Sequence, residues 1–231
     1  MLRVGPFKVA ASRAVAVCGA YQFFRRNALI LMATFEDNLG GRLALLNPDD
    51  LKSDQKKLYN QLQDTMVPWA KKSGFQATTF DDRLVGPFNA MLRSPLIAKA
   101  LMGVTAAEGE HTSLNEKVRQ VVILTTGAAW QAAYELYAHT AVGRQAGFDE
   151  ATLQQLVAGQ KPAALSADEA VAYDFTHRLV TTHQIDPELY EQAVVTFGEK
   201  GVVDLIVLAG QYMTISGLLN TFAVPAPTAT T

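Results

Sequence analysis

WQAAYELYAHTAVGRQAG, residues 130–147, is the stretch of this sequence that decides the fold. It predicts a single helix from Trp130 to Gly147, because glycine is a natural helix stop. Glu135 and His139 lie four residues apart in it, so their side chains are expected on the same face, one turn from each other. The chain is therefore expected to be organised around a helix that carries a carboxylate–imidazole pair.

That pair is the best candidate for acid–base chemistry in the sequence. A carboxylate within reach of an imidazole fixes its tautomer and raises its basicity, so His139 is the predicted catalytic residue and Glu135 its partner. The alternative is an ordinary surface pair. Burial would favour function, because burying such groups costs several kcal/mol unless they are paired or functional. The residues that leave little of this helix for water are Trp130, Ala132, Ala133, Leu136, Ala138, Ala141 and Val142.

Composition bounds the class of protein. The chain has 231 residues, enough for a full core, and its 49% hydrophobic and 18% charged residues are typical of a soluble globular protein. A formal net charge of −2 gives no case for binding nucleic acid or an anionic membrane. Cys18 is the only cysteine, which excludes disulfide scaffolds, cysteine-based zinc sites and dithiol redox chemistry within one chain.

The first 35 residues differ from the rest, because they contain arginine and lysine but no Asp or Glu. They are either an export or organelle-targeting leader or, if the true start is Met32, an upstream extension of the reading frame. Residues 1–35 are therefore placed outside the fold, and residues 36–231 are expected to form a single domain. A cytoplasmic location is favoured over export.

The remaining pattern predicts helices throughout and an all-α fold, since no segment alternates with a period of two. Ser113 and Glu116 fit a capping box, which gives Glu116 a structural role, and Ser166 with Glu169 fits a second. The last helix is the most apolar and is expected to be a core or subunit-interface helix rather than a membrane span. The other predicted helices are 53–72, 88–92, 95–102, 113 to a loosening near Gly127, 150–158, 166–182, 187–197 and 202–222.

Residues 114–147, LNEKVRQVVILTTGAAWQAAYELYAHTAVGRQAG, resemble the carboxymuconolactone decarboxylase family, which shares its fold with the alkylhydroperoxidase AhpD. The resemblance depends on VRQVVIL, the tryptophan at 130, Y-E-x-x-x-H at 134–139 and A-G-F-D at 146–149. Later elements agree: DEAVAYDF at 168–175, FGEKGVVDLI at 197–206 and LNTFAVPAP at 219–227. It covers roughly residues 46–227 and implies one AhpD-like helical bundle.

The resemblance also implies a homo-oligomer (dimer, trimer or hexamer) and a site beside the E-x-x-x-H helix. In the peroxidase branch a C-x-x-C pair precedes the histidine. Here those positions are Ala132 and Glu135, so thiol peroxidase and disulfide reductase activities are not expected. The family histidine corresponds to His139. The acidic residue usual in the preceding helix corresponds to Gln120, and an amide hydrogen-bonds but does not titrate.

The family's name reaction, a step of aromatic degradation, removes carbon dioxide from a γ-carboxylated unsaturated lactone without a metal or organic cofactor. It needs a donor at the developing oxyanion and an acid that protonates carbon. His139, steered by Glu135, is expected to supply the proton, and Gln120, Tyr134 or the Trp130 indole to stabilise the oxyanion. Arg119 is the candidate for binding a carboxylate, with a structural ion pair as its alternative.

The resemblance therefore predicts a cofactor-free decarboxylase or lyase acting on a small carboxylated lactone or related unsaturated acid. The isolated histidines have no metal-site spacing and are expected at surfaces or helix ends. Two other functions stay open. One is a non-catalytic helical oligomer that binds a small molecule, and the other is a thiol-free relative of the alkylhydroperoxidases.

Overall fold

The computed structural model describes residues 37–228. The predicted leader or upstream extension, residues 1–35, therefore lies outside the described residues. From Leu39 onward the described residues belong to one compact unit.

The described part of the chain folds into helices, which confirms the all-α prediction. It contains no strand between residues 37 and 228, only an isolated bridge between Thr78 and Leu84. Short 3-10 segments, Asp37–Gly40 and Pro48–Asp50, precede the first α-helix. The helices are α1 Ser53–Ser73, α2 Pro87–Met91, α3 Pro95–His111, α4 Glu116–Trp130, α5 Ala133–Gln145, α6 Glu150–Val157, α7 Ala167–Thr182 and α8 Pro187–Thr221.

The helix starts follow local side-chain chemistry, with one correction. Asn115, not Ser113, caps α4, because its side chain accepts from the Val118 N–H and leaves Glu116 as the first helical residue. Ser113 instead hydrogen-bonds Asp204 of α8 at 2.8 Å. Glu116 is therefore not at the third helical position of a capping box.

The stretch at 130–147 is not one helix, which corrects the prediction. α4 continues through Gly127 to Trp130, and Gln131 then adopts a left-handed conformation with φ 52°. The Gln131 N–H donates to the carbonyl of Ala128, so the chain turns before α5 begins at Ala133. A left-handed residue at this position ends a helix whatever the apolar pattern around it. Trp130 and His139 consequently lie on different helices.

The two predicted C-terminal helices are present, joined end to end as α8. Gly198 interrupts α8 with φ 69° and ψ 170°, a conformation that costs glycine little, so the break falls where glycine predicts it. Among the described helices α8 is the one long and apolar enough to cross a membrane. Its inner residues Leu205, Leu208 and Ala209 are fully buried in the core, which is the position of a core helix.

Two hydrophobic clusters divide the interior. One contains buried residues of α1, α2, α3, α5 and the end of α8, and the other contains those of α4, α6, α7 and the middle of α8. α4 packs against α5 between them. Glu135 and His139 of the candidate site lie on α5, and Glu116, Arg119 and Gln120 lie on α4.

Candidate active site

Glu135 and His139 lie on one face of α5, as the spacing predicts. Glu135 Oε1 is 3.1 Å from His139 Nε2, and the two residues are only 3% and 5% exposed. The pair is thus buried, which excludes the ordinary surface pair considered from the sequence. Although the two atoms are close, their geometry is not that of a hydrogen bond, and Glu135 Oε1 has no hydrogen-bond partner in the described part of the chain.

Gln120 of α4 holds the other ring nitrogen of His139. Its Oε1 lies 2.8 Å from Nδ1, while its Nε2 donates a 2.7 Å hydrogen bond to Glu116 Oε1. An amide oxygen only accepts, so the hydrogen between the two side chains belongs to Nδ1. Neutral His139 is therefore the Nδ1–H tautomer, with a lone pair at Nε2 turned toward Glu135.

Burial sets the protonation of this pair. It raises the pKa of Glu135 from 4.5 to about 8. Burial, followed by the positive charge of Arg119, lowers the pKa of His139 from 6.5 to about 3. At neutral pH the pair is a carboxylic acid beside a neutral imidazole. Glu135 therefore does not raise the basicity of His139, contrary to the expectation from the sequence, because burial disfavours the charged form of both groups.

His139 stands in the wall between two spaces. An inner cavity of about 60 Å³ has room for a few atoms and is lined mainly by apolar and aromatic side chains, together with Glu135. An outer cleft of about 450 Å³ is within the usual size of a ligand pocket and is also lined by Gln120. The residues that line both spaces are Met66, Trp69, Thr105, His139 and Tyr212. A ligand in the outer cleft therefore meets His139, whereas Glu135 faces the inner cavity on the other side of this wall.

Two aromatic side chains that the sequence analysis did not single out enclose the imidazole. The Tyr212 ring meets it edge-on, with centroids 5.0 Å apart, and the Trp69 ring lies 6.1 Å away. Burial raises the pKa of Tyr212 well above 10, so its hydroxyl stays protonated. Neither the Tyr212 hydroxyl nor the Trp69 indole N–H has a hydrogen-bond partner among residues 37–228, so both are available as donors. Trp69 lies three residues after Met66 in α1, and this spacing, which places both side chains on one helix face, is a signal that could have identified it.

Tyr134 lines the inner cavity, but its hydroxyl is engaged. It donates a 2.5 Å hydrogen bond to the carbonyl of Gln76. Gly86, with φ 64°, lies so close that an added Cβ would come within 2.3 Å of the Tyr134 ring. Tyr134 is therefore a fixed wall of the cavity, which corrects its expected role as an oxyanion donor.

Trp130 is not brought to the site. It is 39% exposed, lines neither space, and packs beside Gly217 of α8. Its carbonyl accepts a hydrogen bond from Asn220 Nδ2, which gives Asn220 a structural role. The left-handed turn at Gln131 separates Trp130 from α5, so the structure does not place this predicted substrate-binding residue beside His139.

Arg119 lines the outer cleft but is already paired. Its Nε and Nη2 donate to the two oxygens of Glu108 at 3.0 and 2.6 Å, and its Nη1 donates to Glu116. Burial alone would lower the pKa of Arg119, but the hydrogen bonds and charges of these glutamates raise it. The structural ion pair, the alternative considered from the sequence, describes Arg119 better than a carboxylate-binding role.

Lys72 is the other cation of the outer cleft. It lies in the last turn of α1, and within residues 37–228 its ammonium group has no carboxylate or carbonyl partner. Within the described ranges no group of three His, Cys, Asp or Glu side chains is arranged to bind a metal ion. The chemistry offered by this site is therefore that of a proton on Glu135, hydrogen-bond donors and one unpaired lysine.

Comparisons with known proteins agree with this architecture. The model of the carboxymuconolactone decarboxylase family matches residues 95–178, which include all the polar residues of the pair and its network. The chain is similar to an uncharacterized peroxidase-related protein from Silicibacter sp. TM1040, with 18% identity and a TM-score of 0.60 over 81% of this chain and 92% of that one. A search of curated proteins found no match.

Two further solved structures have the same fold. One is an AhpD-core, peroxidase-related protein from Ralstonia eutropha JMP134, with 16% identity and a TM-score of 0.61 over 80% of this chain and 92% of that one. The other is a debrominase in complex with 2,3,4-tribromopyrrole, with 13% identity and a TM-score of 0.62 over 81% and 94%. At such identities the likeness concerns the fold. The resemblance found in the sequence is confirmed.

Proposed function

Because residues 95–178 are a carboxymuconolactone decarboxylase family region on an AhpD-like fold, we propose that this protein is a cofactor-free decarboxylase or lyase. Its substrate is a small carboxylated unsaturated lactone or a related acid. The observation that carries the proposal is the buried Glu135–His139 pair, which lies at the wall between a cleft and a cavity. Such a pair supplies a proton in a site that water enters poorly.

The reaction begins with loss of the substrate carboxylate as carbon dioxide. The carbon–carbon bond breaks, and its electron pair moves through the double bond onto the lactone carbonyl to form a dienolate. A hydrogen-bond donor must contact that oxygen. Of the donors proposed from the sequence, Gln120 and Tyr134 already donate to other groups, and Trp130 lines neither space. Tyr212 and Trp69 line both spaces, and the Tyr212 hydroxyl and the Trp69 indole N–H donate to no residue among 37–228, so these two groups are assigned to the oxyanion.

Proton delivery is assigned to Glu135, with His139 as its partner. The only hydrogen of neutral His139 faces Gln120, whereas the raised pKa of Glu135 keeps a proton on its carboxyl group. That proton passes to the dienolate carbon, and the resulting Glu135 carboxylate regains one from water. Each turnover thus consumes one proton and releases one carbon dioxide. The sequence-based roles of Glu135 and His139 are exchanged in this scheme.

Attraction of the substrate is assigned to Lys72 rather than Arg119. Arg119 already donates to two glutamates, so its charge is neutralised within the protein. Lys72 provides the unpaired positive charge of the outer cleft and would draw an anionic substrate toward His139.

Assembly of the protein as a homo-oligomer in the cytoplasm completes the proposal. α3 and α8 contact each other and expose apolar side chains, among them Ile97 at 73%, Val203 at 56% and Ile206 at 45%. Large apolar side chains exposed on a folded protein in this number are often covered by another subunit. Sedimentation analysis should find an oligomer, and Ile206→Lys should dissociate it; a monomeric wild-type protein would contradict this part.

The function is tested by carbon dioxide release from carboxymuconolactone. We expect release by the wild-type protein and its loss in Glu135→Gln and His139→Ala. Glu110→Gln, the same chemical change at a side chain that is 74% exposed, should retain activity. Binding of the lactone without release would support a non-catalytic binder. Peroxide consumption insensitive to cysteine alkylation would support the thiol-free relative of the peroxidases.

A further inference from the structure

The orientation of the Gln120 amide decides where His139 carries its proton. With its oxygen toward His139, the amide requires a hydrogen on Nδ1; turned over, it would donate to Nδ1 and place the hydrogen on Nε2. His139 alone does not choose between these arrangements, because a neutral imidazole can donate or accept at either nitrogen. The choice must come from the other end of the amide.

Glu116 occupies that other end. Its Oε1 accepts the Gln120 Nε2 hydrogen at 2.7 Å, and its Oε2 accepts from Arg119 Nη1. A carboxylate accepts at both oxygens and donates at neither, so it tolerates only the nitrogen side of the amide. Arg119 is itself held by two hydrogen bonds to Glu108, which fixes the direction from which it contacts Glu116.

We propose that Glu116 is a positioning residue that acts through the Gln120 amide, keeping the proton of His139 on Nδ1 and an unprotonated Nε2 toward Glu135. The chain of contacts runs from Arg119 through Glu116 and Gln120 to the imidazole. The Gln120 amide, which replaces the family's acidic residue, thus fixes which nitrogen of His139 carries the hydrogen. The Glu116 carboxylate, one turn earlier on α4, fixes the orientation of that amide. Only the catalytic consequence rests on the proposed function, since the tautomer exists without substrate.

Glu116→Gln tests this role with little change in shape. An amide has one accepting end, so it cannot serve both Arg119 and Gln120. The cation takes the oxygen of the new side chain, and its NH2 group then faces Gln120. Gln120 turns over to accept from it and donates to His139 Nδ1. We therefore expect the hydrogen of His139 to move to Nε2, wholly or in part.

The measurement is the tautomer of His139 by two-bond proton–nitrogen correlation NMR on the 15N-histidine-labelled full chain at neutral pH. The sequence has four histidines, and the His139 signals are assigned by their absence in His139→Gln. The wild-type protein should show the Nδ1–H form, and Glu116→Gln should show the Nε2–H form or a mixture. The Glu116 side chain is 47% exposed, so the variant should fold. Glu116→Met, which leaves the Gln120 amide without its acceptor, should also lose the single tautomer.

Two matched controls make the same carboxyl-to-amide change. Glu108→Gln changes the partner of Arg119 but makes no contact with Gln120. Glu110→Gln changes an exposed side chain of α3. In both variants His139 should keep its hydrogen on Nδ1. An Nε2–H wild type, or an unchanged Nδ1–H form in both Glu116 variants, would overturn the proposal. Because this readout needs no turnover, it is separate from the carbon dioxide assay: an inactive protein with the expected tautomers would refute only the proposed function.

Discussion

Glu108 of α3 and Glu135 of α5 are both buried carboxyl groups, 8% and 3% exposed. Glu108 receives two hydrogen bonds from the Arg119 guanidinium, at 3.0 and 2.6 Å. Glu135 faces a neutral imidazole whose hydrogen points elsewhere, and its Oε1 has no hydrogen-bond partner among the described residues. The first carboxyl group is paired with a cation, whereas the second has no cation beside it and its raised pKa keeps it protonated at neutral pH.

This difference assigns a structural role to Glu108 and a functional role to Glu135. A buried carboxylate with a bidentate arginine is stable in its ionised form and has no proton to give. A buried carboxyl group without a cation has a raised pKa, and such groups are typical of general acids. Glu108 on α3 and Glu135 on α5 are therefore expected to respond differently to the same substitution by glutamine.

The largest expected effect is on catalysis. Glu135→Gln removes the proton that the mechanism delivers, so carbon dioxide release should fall by about a hundred- to ten-thousand-fold. Glu108→Gln should stay within about tenfold of wild type when assayed where it is folded, since a loss below that size is under about 1.4 kcal/mol of barrier. Steady-state rates of both variants decide this. Equal losses of rate in the two variants would contradict different roles for the two carboxyl groups.

Stability should show the opposite order. Glu108→Gln leaves the Arg119 charge without its bidentate partner and should lower the free energy of unfolding by about 3 kcal/mol. Glu135→Gln should change it by less than about 1 kcal/mol at pH 4, where the Glu135 carboxyl group is protonated in both the folded protein and the unfolded chain. Urea denaturation of the two variants measures both. A larger loss in Glu135→Gln would show that Glu135 is ionised and paired in the folded protein.

The sequence predicts the all-α fold and the position of Glu135 beside His139, but not the protonation state of Glu135. Apolar periodicity predicts most of the helices, and four-residue spacing brings Glu135 beside His139. Glycine does not always mark a helix end, since α3 continues through Gly103 to His111 rather than ending at residue 102. The pKa directions depend on burial by α1 and α8, which lie far along the chain from α5. The left-handed Gln131 is a single-residue event with no glycine to signal it. The sequence pattern therefore favours Trp130 as the tryptophan of the site, whereas Trp69 is the tryptophan that lies beside the imidazole.

The pH dependence of stability should follow Glu135. Its pKa rises from 4.5 to about 8 on folding, so the folded protein binds a proton that the unfolded chain releases. This contribution is fully present below about pH 4.5 and is lost as the pH rises through about 8. The stability of wild type relative to Glu135→Gln should thus fall between these values, by at most about 1.4 kcal/mol per pH unit. A difference that is constant with pH would contradict a raised pKa for Glu135.

The smallest expected effect belongs to Trp130. Because its side chain lines neither the cavity nor the cleft, Trp130→Phe should change the rate by less than about twofold, well under 1 kcal/mol. Trp69→Phe is the matched substitution at the imidazole and should lower kcat by removing an indole N–H. Kinetics of the two variants compare the tryptophan favoured by the sequence with the one favoured by the structure.

The most direct test of the account is the protonation of Glu135 in the resting protein, read by infrared difference spectroscopy between wild type and Glu135→Gln. The raised pKa of Glu135 predicts the carbonyl stretch of a protonated carboxylic acid at pH 7, absent from the variant and lost from wild type as the pH rises above about 8. If only the carboxylate bands differ between the two proteins at pH 7, Glu135 is ionised at rest and cannot be the proton donor.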